Sequence, residues 1–123
     1  IERFFISFFF FISPDKLGRV KVITNEVEKE YEEEGGRKIN LDPGTLSEAN
    51  IILATTKNRS HRIAIGDKLY AELTLMYKNH GYLSFPWTYS DYKSERVQNT
   101  LLEFRKEYLS IRKEALKKEK ELN

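Results

Sequence analysis

Leu69-Tyr70-Ala71-Glu72-Leu73-Thr74-Leu75-Met76-Tyr77 decides how this chain folds. Side chains along a strand point alternately to opposite faces. Period two puts Leu69, Ala71, Leu73, Leu75 and Tyr77 on one face and Tyr70, Glu72, Thr74 and Met76 on the other. The spacing predicts a strand over residues 68–77 with one apolar and one half-polar face. Glu72 stands in the middle of the half-polar face, and a carboxylate in a central strand has to be paired, hydrogen-bonded or solvated. Lys57, His61 and Arg62 lie on the preceding loop and strand as partners. A cross-strand salt bridge and a pocket carboxylate both meet that requirement.

On the C-terminal side, Asn79-His80-Gly81 reads as a hairpin turn into a strand over residues 82–85. On the N-terminal side, residues 61–65 and 51–56 read as two more strands, joined by the polar loop Lys57-Asn58-Arg59-Ser60. Residues 37–41 alternate polar and apolar and read as another. The turn Asp42-Pro43-Gly44 ends it, where Pro fixes φ and Gly supplies a positive φ. Residues 45–50 are expected to hold one helical turn. Ser13-Pro14-Asp15 signals a helix start, with Val20, Ile23, Val27 and Tyr31 as the apolar face and Gly35-Gly36 as the stop. Ser94 caps a last helix, in which Val97, Leu101, Phe104, Tyr108, Ile111 and Ala115 form a heptad-like seam. Residues 117–123 are a charged helix end that frays or projects. The Phe-rich opening, Phe4 to Ile12, predicts a buried strand covered on both faces. The fold class is α+β: a mainly antiparallel sheet of about five to six strands packed by two helices, one domain over residues 1–123.

Composition narrows the function classes. The chain has 123 residues, 40% hydrophobic and 33% charged, the balance of a globular domain rather than a disordered one. No apolar run reaches the roughly 18–20 residues of a membrane-spanning helix, so no membrane partner is expected. Cysteine is absent, which excludes disulfides, zinc-thiolate sites and cysteine nucleophiles. A cytoplasmic location is expected. Lys plus Arg is 21 against 19 Asp plus Glu. Nucleic-acid binders carry a larger excess or a basic stripe, so nucleic acid is not the favoured partner.

Three further clusters are candidates for chemistry. Asn40 and Asp42 share one side of a strand end, where they either cap their own turn or face a ligand. Thr55-Thr56-Lys57-Asn58-Arg59-Ser60-His61-Arg62 gathers hydroxyls and cations that suit a phosphate or carboxylate, though it lacks the glycines of a P-loop. Pro86-Trp87-Thr88-Tyr89-Ser90-Asp91-Tyr92 reads as an aromatic wall, with Asp91 either capping the last helix or facing a ligand. The candidate catalytic residues are Asp42, Glu72 and His61. The candidate ligand-binding residues are Asn40, Thr56, Lys57, Arg62, Trp87, Tyr89 and Asp91. Carboxylates of this kind can hold Mg²⁺, whereas the histidine spacing does not suit zinc.

The chain resembles the domain-of-unknown-function family 4416, an uncharacterised bacterial family. The resemblance rests on Lys21-x-x-Thr24-Asn25-x-x-Glu28, Arg37-Lys38-Ile39-Asn40-Leu41-Asp42-Pro43-Gly44, Leu53-Ala54-Thr55-Thr56-Lys57, Ser60-His61-Arg62-Ile63, Ala71-Glu72-x-Thr74-Leu75 and Pro86-Trp87-Thr88-Tyr89-x-Asp91-Tyr92. It implies a strand–helix–strand segment upstream of this chain, and a ferredoxin-like arrangement once that segment is included. It implies no activity.

Three functions are expected in turn. The first is a small-molecule site for a phosphorylated or nucleotide-like ligand. There Lys57, His61 and Arg62 hold the anion, Asp42 and Glu72 orient it or act as acid and base, and Trp87 and Tyr89 cover it. The second is an assembly protein, a homo-oligomer formed through the C-terminal helix seam or the N-terminal Phe-rich strand. The third is an RNA-binding accessory module.

Overall fold

The computed structural model describes residues 3–8 and 10–122. A 3₁₀ turn at Pro14–Lys16 leads into helix α1 (Leu17–Glu30). A two-residue ribbon follows, β1 (Glu32–Glu33) against β2 (Gly36–Arg37), turning where Gly35 and Gly36 take φ of 95° and 141°. The main sheet comprises β3 (Gly44–Leu46), β4 (Asn50–Thr55), β5 (Arg62–Gly66), β6 (Leu69–Lys78) and β7 (Gly81–Ser84). Helix α2 (Glu95–Leu122) closes the chain. The protein is therefore α+β, with two helices and a mainly antiparallel five-stranded sheet. Among the described residues no helix is long and apolar enough to cross a membrane.

The decisive stretch is the ten-residue β6, and the sheet is built around it. β4 runs along one edge, with β3 outside it. The other edge is shared: β5 pairs with residues 69–72 and β7 with residues 75–78. The β6–β7 connection is the expected tight hairpin, with Asn79 and His80 at φ of 52° and 66°. Gly44 lies so near β4 that a Cβ there would stand 2.6 Å from the Ile52 carbonyl oxygen.

The strict alternation expected for β6 is broken. Ile51 pairs with Leu75 but Ile52 with Leu73, so Thr74 is an extra residue in a β-bulge. Directly paired residues share a face. Leu53 pairs with Glu72, so Glu72 lies on the face of Ile51 and Leu75, not opposite Leu75. That face carries the core of Ile51, Leu75, Tyr82, Val97 and Leu101 under α2. The reverse face carries Ala54, Ala71 and Leu73. There α1 packs, and a Cβ on Gly18 would meet Leu69 at 3.3 Å.

Five other expectations are corrected. The Phe-rich opening is not a strand: Phe4 and Phe8 are 79% and 70% exposed. Phe9 lies outside the described residues. Its rings pack instead of pairing backbone: Phe5 sits edge-on against Tyr92 and Phe11 against Tyr108. Residues 38–41 form no strand, and residues 44–46 form β3 rather than a helical turn. The Pro43 carbonyl accepts from the Ala54 N–H, which draws the chain into the sheet. Ser13 does not cap α1, since its hydroxyl bonds Asp15 and the α-helix begins at Leu17.

The fifth concerns the face of α1. Ile23 and Tyr31 are exposed, and the buried residues are Leu17, Gly18, Lys21 and Glu28. A loop amide explains part of this: Glu28 Oε2 accepts from the Leu41 N–H at 2.8 Å. The α2 start is as expected, with the Ser94 hydroxyl accepting from the Val97 N–H at 3.3 Å. The helix remains helical through Leu122. Arg105 donates to the Glu48 carbonyl and Arg112 pairs with the Glu48 carboxylate at 2.8 Å.

Candidate functional site

Glu72 is 2% exposed, and β5 and β6 supply its partners. Arg62, its cross-strand neighbour, donates from Nε to Glu72 Oε2 at 2.7 Å. His61, one residue ahead of β5, places Nε2 at 2.9 Å from the same oxygen. A carboxylate only accepts, so Nε2 is the donor and carries hydrogen in either charge state of the ring. Arg62 Nη1 donates to the Lys57 carbonyl at 2.9 Å, tying the 57–60 loop to the cluster. Glu72 Oε1 is buried with no hydrogen bond, and no hydrogen bond engages His61 Nδ1 among the described residues.

One wall of the cluster is aromatic. His61 stacks on Trp87 with centroids 4.8 Å apart and planes at 15°, and Trp87 stacks on Phe85 at 4.8 Å and 5°. The bulge holds this wall. Where β5 ends and β7 has not begun, the Leu73 carbonyl accepts from Trp87 Nε1 at 2.8 Å. The Thr74 carbonyl accepts from the Thr88 hydroxyl, also at 2.8 Å. Thr88 Oγ1 in turn accepts from the Phe85 N–H at 2.9 Å, locking the turn.

The other anticipated residues are spread more widely. Lys57 and Thr56 are exposed on the loop beside Arg62, and Lys57 joins the cluster only through its carbonyl. Asn40 Nδ2 donates weakly to Asp42 Oδ2 at 3.4 Å, both exposed ahead of β3. Asp42 acts on Tyr92 only through its charge. Burial pushes the Tyr92 phenol up to about 12, with the charges of Asp42, Asp91 and Glu72 adding and Arg3 opposing. Tyr89 is exposed. Asp91 pairs with Arg3 at 2.9 Å and lines a cleft of about 340 Å³ with Phe5, Ser90, Ser94 and Arg96, apart from His61. Among the described residues no group of three His, Asp or Glu converges to hold a metal ion such as Mg²⁺.

The sequence pattern does not single out Phe85, Thr88 or Tyr92 as site residues. Phe85-Pro86-Trp87 carries a signal for the first, since rings two apart across a Pro can stack. No pattern marks Thr88, whose role depends on the bulge.

These features define an α+β domain with a buried carboxylate that orients a histidine against an aromatic wall. The chain belongs to the family described as Domain of unknown function (DUF4416), whose model matches residues 1–108. That match lends no support to the expected upstream segment. No curated protein and no solved structure matches the chain.

Proposed function

We propose that the protein binds a small phosphorylated or nucleotide-like molecule at the edge of β5, with His61 as the group that meets it. The observation that carries this reading is Glu72: a buried carboxylate spends one oxygen on Arg62 and on His61 Nε2. That arrangement fixes the ring by hydrogen bond on one side and by the Trp87 stack on its face. It leaves Nδ1 to accept a proton or contact the ligand, the geometry of an oriented general base. The exposed cations Lys57 and Arg59 on the adjoining loop suit the anionic group. Glu72 positions the histidine and balances Arg62.

A thermal-shift screen of the protein against nucleotides and sugar phosphates tests this, repeated on Lys57→Ala and His61→Ala. A rise in Tm that both variants lose supports the reading. A rise that persists in both, or no rise with any compound, refutes it. A second reading, a subunit of a homo-oligomer, is favoured by the exposed Phe4, Ile6, Phe8 and Phe10. Sedimentation of the protein and of a Phe8→Ser/Phe10→Ser variant tests that one, with a loss of dimer expected.

A further inference from the structure

The apolar row ahead of α1 has the period of a strand, and its outer face is open to solvent. Phe4, Ile6, Phe8 and Phe10 are 67–79% exposed, while Phe5 and Ser7 between them are half-buried. Such alternation marks an extended segment with one face inward and one outward. The rings of Phe8 and Phe10, with centroids 5.6 Å apart, lie on the same side. The inward side is fastened to the molecule: Arg3 pairs with Asp91, Phe5 packs on Tyr92 and Phe11 on Tyr108.

The chemistry of the row favours a second copy of this chain as its cover. Residues 4–12 include no charged side chain, and the charge next to them, on Arg3, is spent on Asp91. A twofold interface sets one patch against itself, so an uncharged row meets its copy without repulsion. At up to about 150 Å² for each side chain, the four expose roughly 500 Å². Two copies face to face then bury about 1,000 Å², the lower limit for a specific interface. Lipid suits the row less well. Among the described residues no backbone N–H or carbonyl from Phe4 to Ile12 has a hydrogen bond, and a bilayer interior leaves such groups unsatisfied. Between two copies the strand edges stay in water.

We propose that the row from Phe4 to Phe10 is the seam of a twofold dimer. The two copies lie antiparallel and face to face about Ser7, the midpoint of the row, so Phe4 meets the partner's Phe10 and Ile6 the partner's Phe8. This contact rests on the homo-oligomer reading and gives it a surface. Sedimentation over a concentration series, with cross-linking, tests both. A dimer that dissociates in about the micromolar range is expected from so small a contact. Ile6→Lys sets a cation against Phe8 and is expected to raise Kd by about tenfold or more. Its Tm is expected to match the parent's, because Ile6 is 76% exposed. The chain has no cysteine, so an introduced thiol is unique. In a mixture, a short bismaleimide is expected to join Phe4→Cys to Phe10→Cys. It is expected not to join Phe4→Cys to itself, since those positions stand about 20 Å apart along the seam. A monomer at every concentration overturns both the contact and the homo-oligomer reading, and so does a monomer that binds phosphatidylcholine vesicles. A dimer unchanged in Ile6→Lys overturns the contact alone, and so does one in which Phe4→Cys joins itself and not Phe10→Cys. Either result leaves the protein an oligomer built another way.

Discussion

At the scale of single residues, Glu72 is where stability and chemistry meet. Its carboxylate lies within 2.9 Å of two donors, and the Arg62 side chain is nearly as enclosed as its own. A buried pair broken on one side leaves an uncompensated charge, which costs about 3–5 kcal/mol. Glu72→Gln is therefore expected to lower unfolding free energy by about 3 kcal/mol in a urea titration, while Glu72→Met/Arg62→Met recovers most of that loss. A loss below about 1 kcal/mol for Glu72→Gln contradicts the burial described. The need for a partner was legible in the sequence, because a mid-strand carboxylate cannot stand alone. Which of the salt bridge and the pocket it served was not legible. The geometry shows the salt bridge: Oε2 is bridged to Arg62, and Oε1 is buried without a hydrogen bond.

Among the elements, β6 was readable in extent and not in facing. Leu69 to Tyr77 has the composition and spacing of a strand, and the Asn79-His80-Gly81 turn after it carries its signal in sequence. The bulge at Thr74 does not, since it arises from the register between β4 and β6, a relation between distant segments. It reverses the facing of everything beyond it. The α1 face failed for a related reason: period alone selected Val20, Ile23, Val27 and Tyr31, whereas packing chose Leu17, Gly18, Lys21 and Glu28. Of the site, Glu72, His61, Arg62 and Trp87 come together, while Asp91 and Tyr89 stand apart. Chain proximity within residues 86–92 hid the fact that the turn sends its rings in different directions. Thr88 supplies the test at this scale. Its hydroxyl serves two backbone groups, the part-buried Phe85 N–H and the buried Thr74 carbonyl. Thr88→Val keeps the shape and orphans both, at about 1–3 kcal/mol for the buried carbonyl and less for the part-buried N–H. Thr88→Ser, which keeps both bonds, is expected to lie within about 1 kcal/mol of the parent in the same urea titration.

For the whole molecule, two tyrosines set the alkaline limit. Burial pushes Tyr82 up to about 12, with Arg105 opposing and Tyr77 adding, and Tyr92 stands at about 12 as well. An unfolded tyrosine ionises near pH 10. Between about pH 10 and 12 the unfolded chain therefore holds fewer protons than the folded one, and stability falls as pH rises. Below about pH 10 the contribution is intact. Chemical denaturation at about pH 9, 10 and 11 is expected to show a falling midpoint, with a shallower fall in Tyr82→Phe and Tyr92→Phe. The divided edge of β6 bears on the order in which such a chain assembles. β5 and β7 each join β6 through a short reverse turn, so their closure brings together residues near in sequence and is fast. The stack of His61 on Trp87 instead joins positions 26 apart, and it waits for the intervening strands to be in place. On that reasoning the β5–β6–β7 hairpins are expected to close ahead of the His61–Trp87 stack. Because Trp87 is the chain's single tryptophan, the difference in indole emission kinetics between the protein and His61→Ala reports when that stack closes.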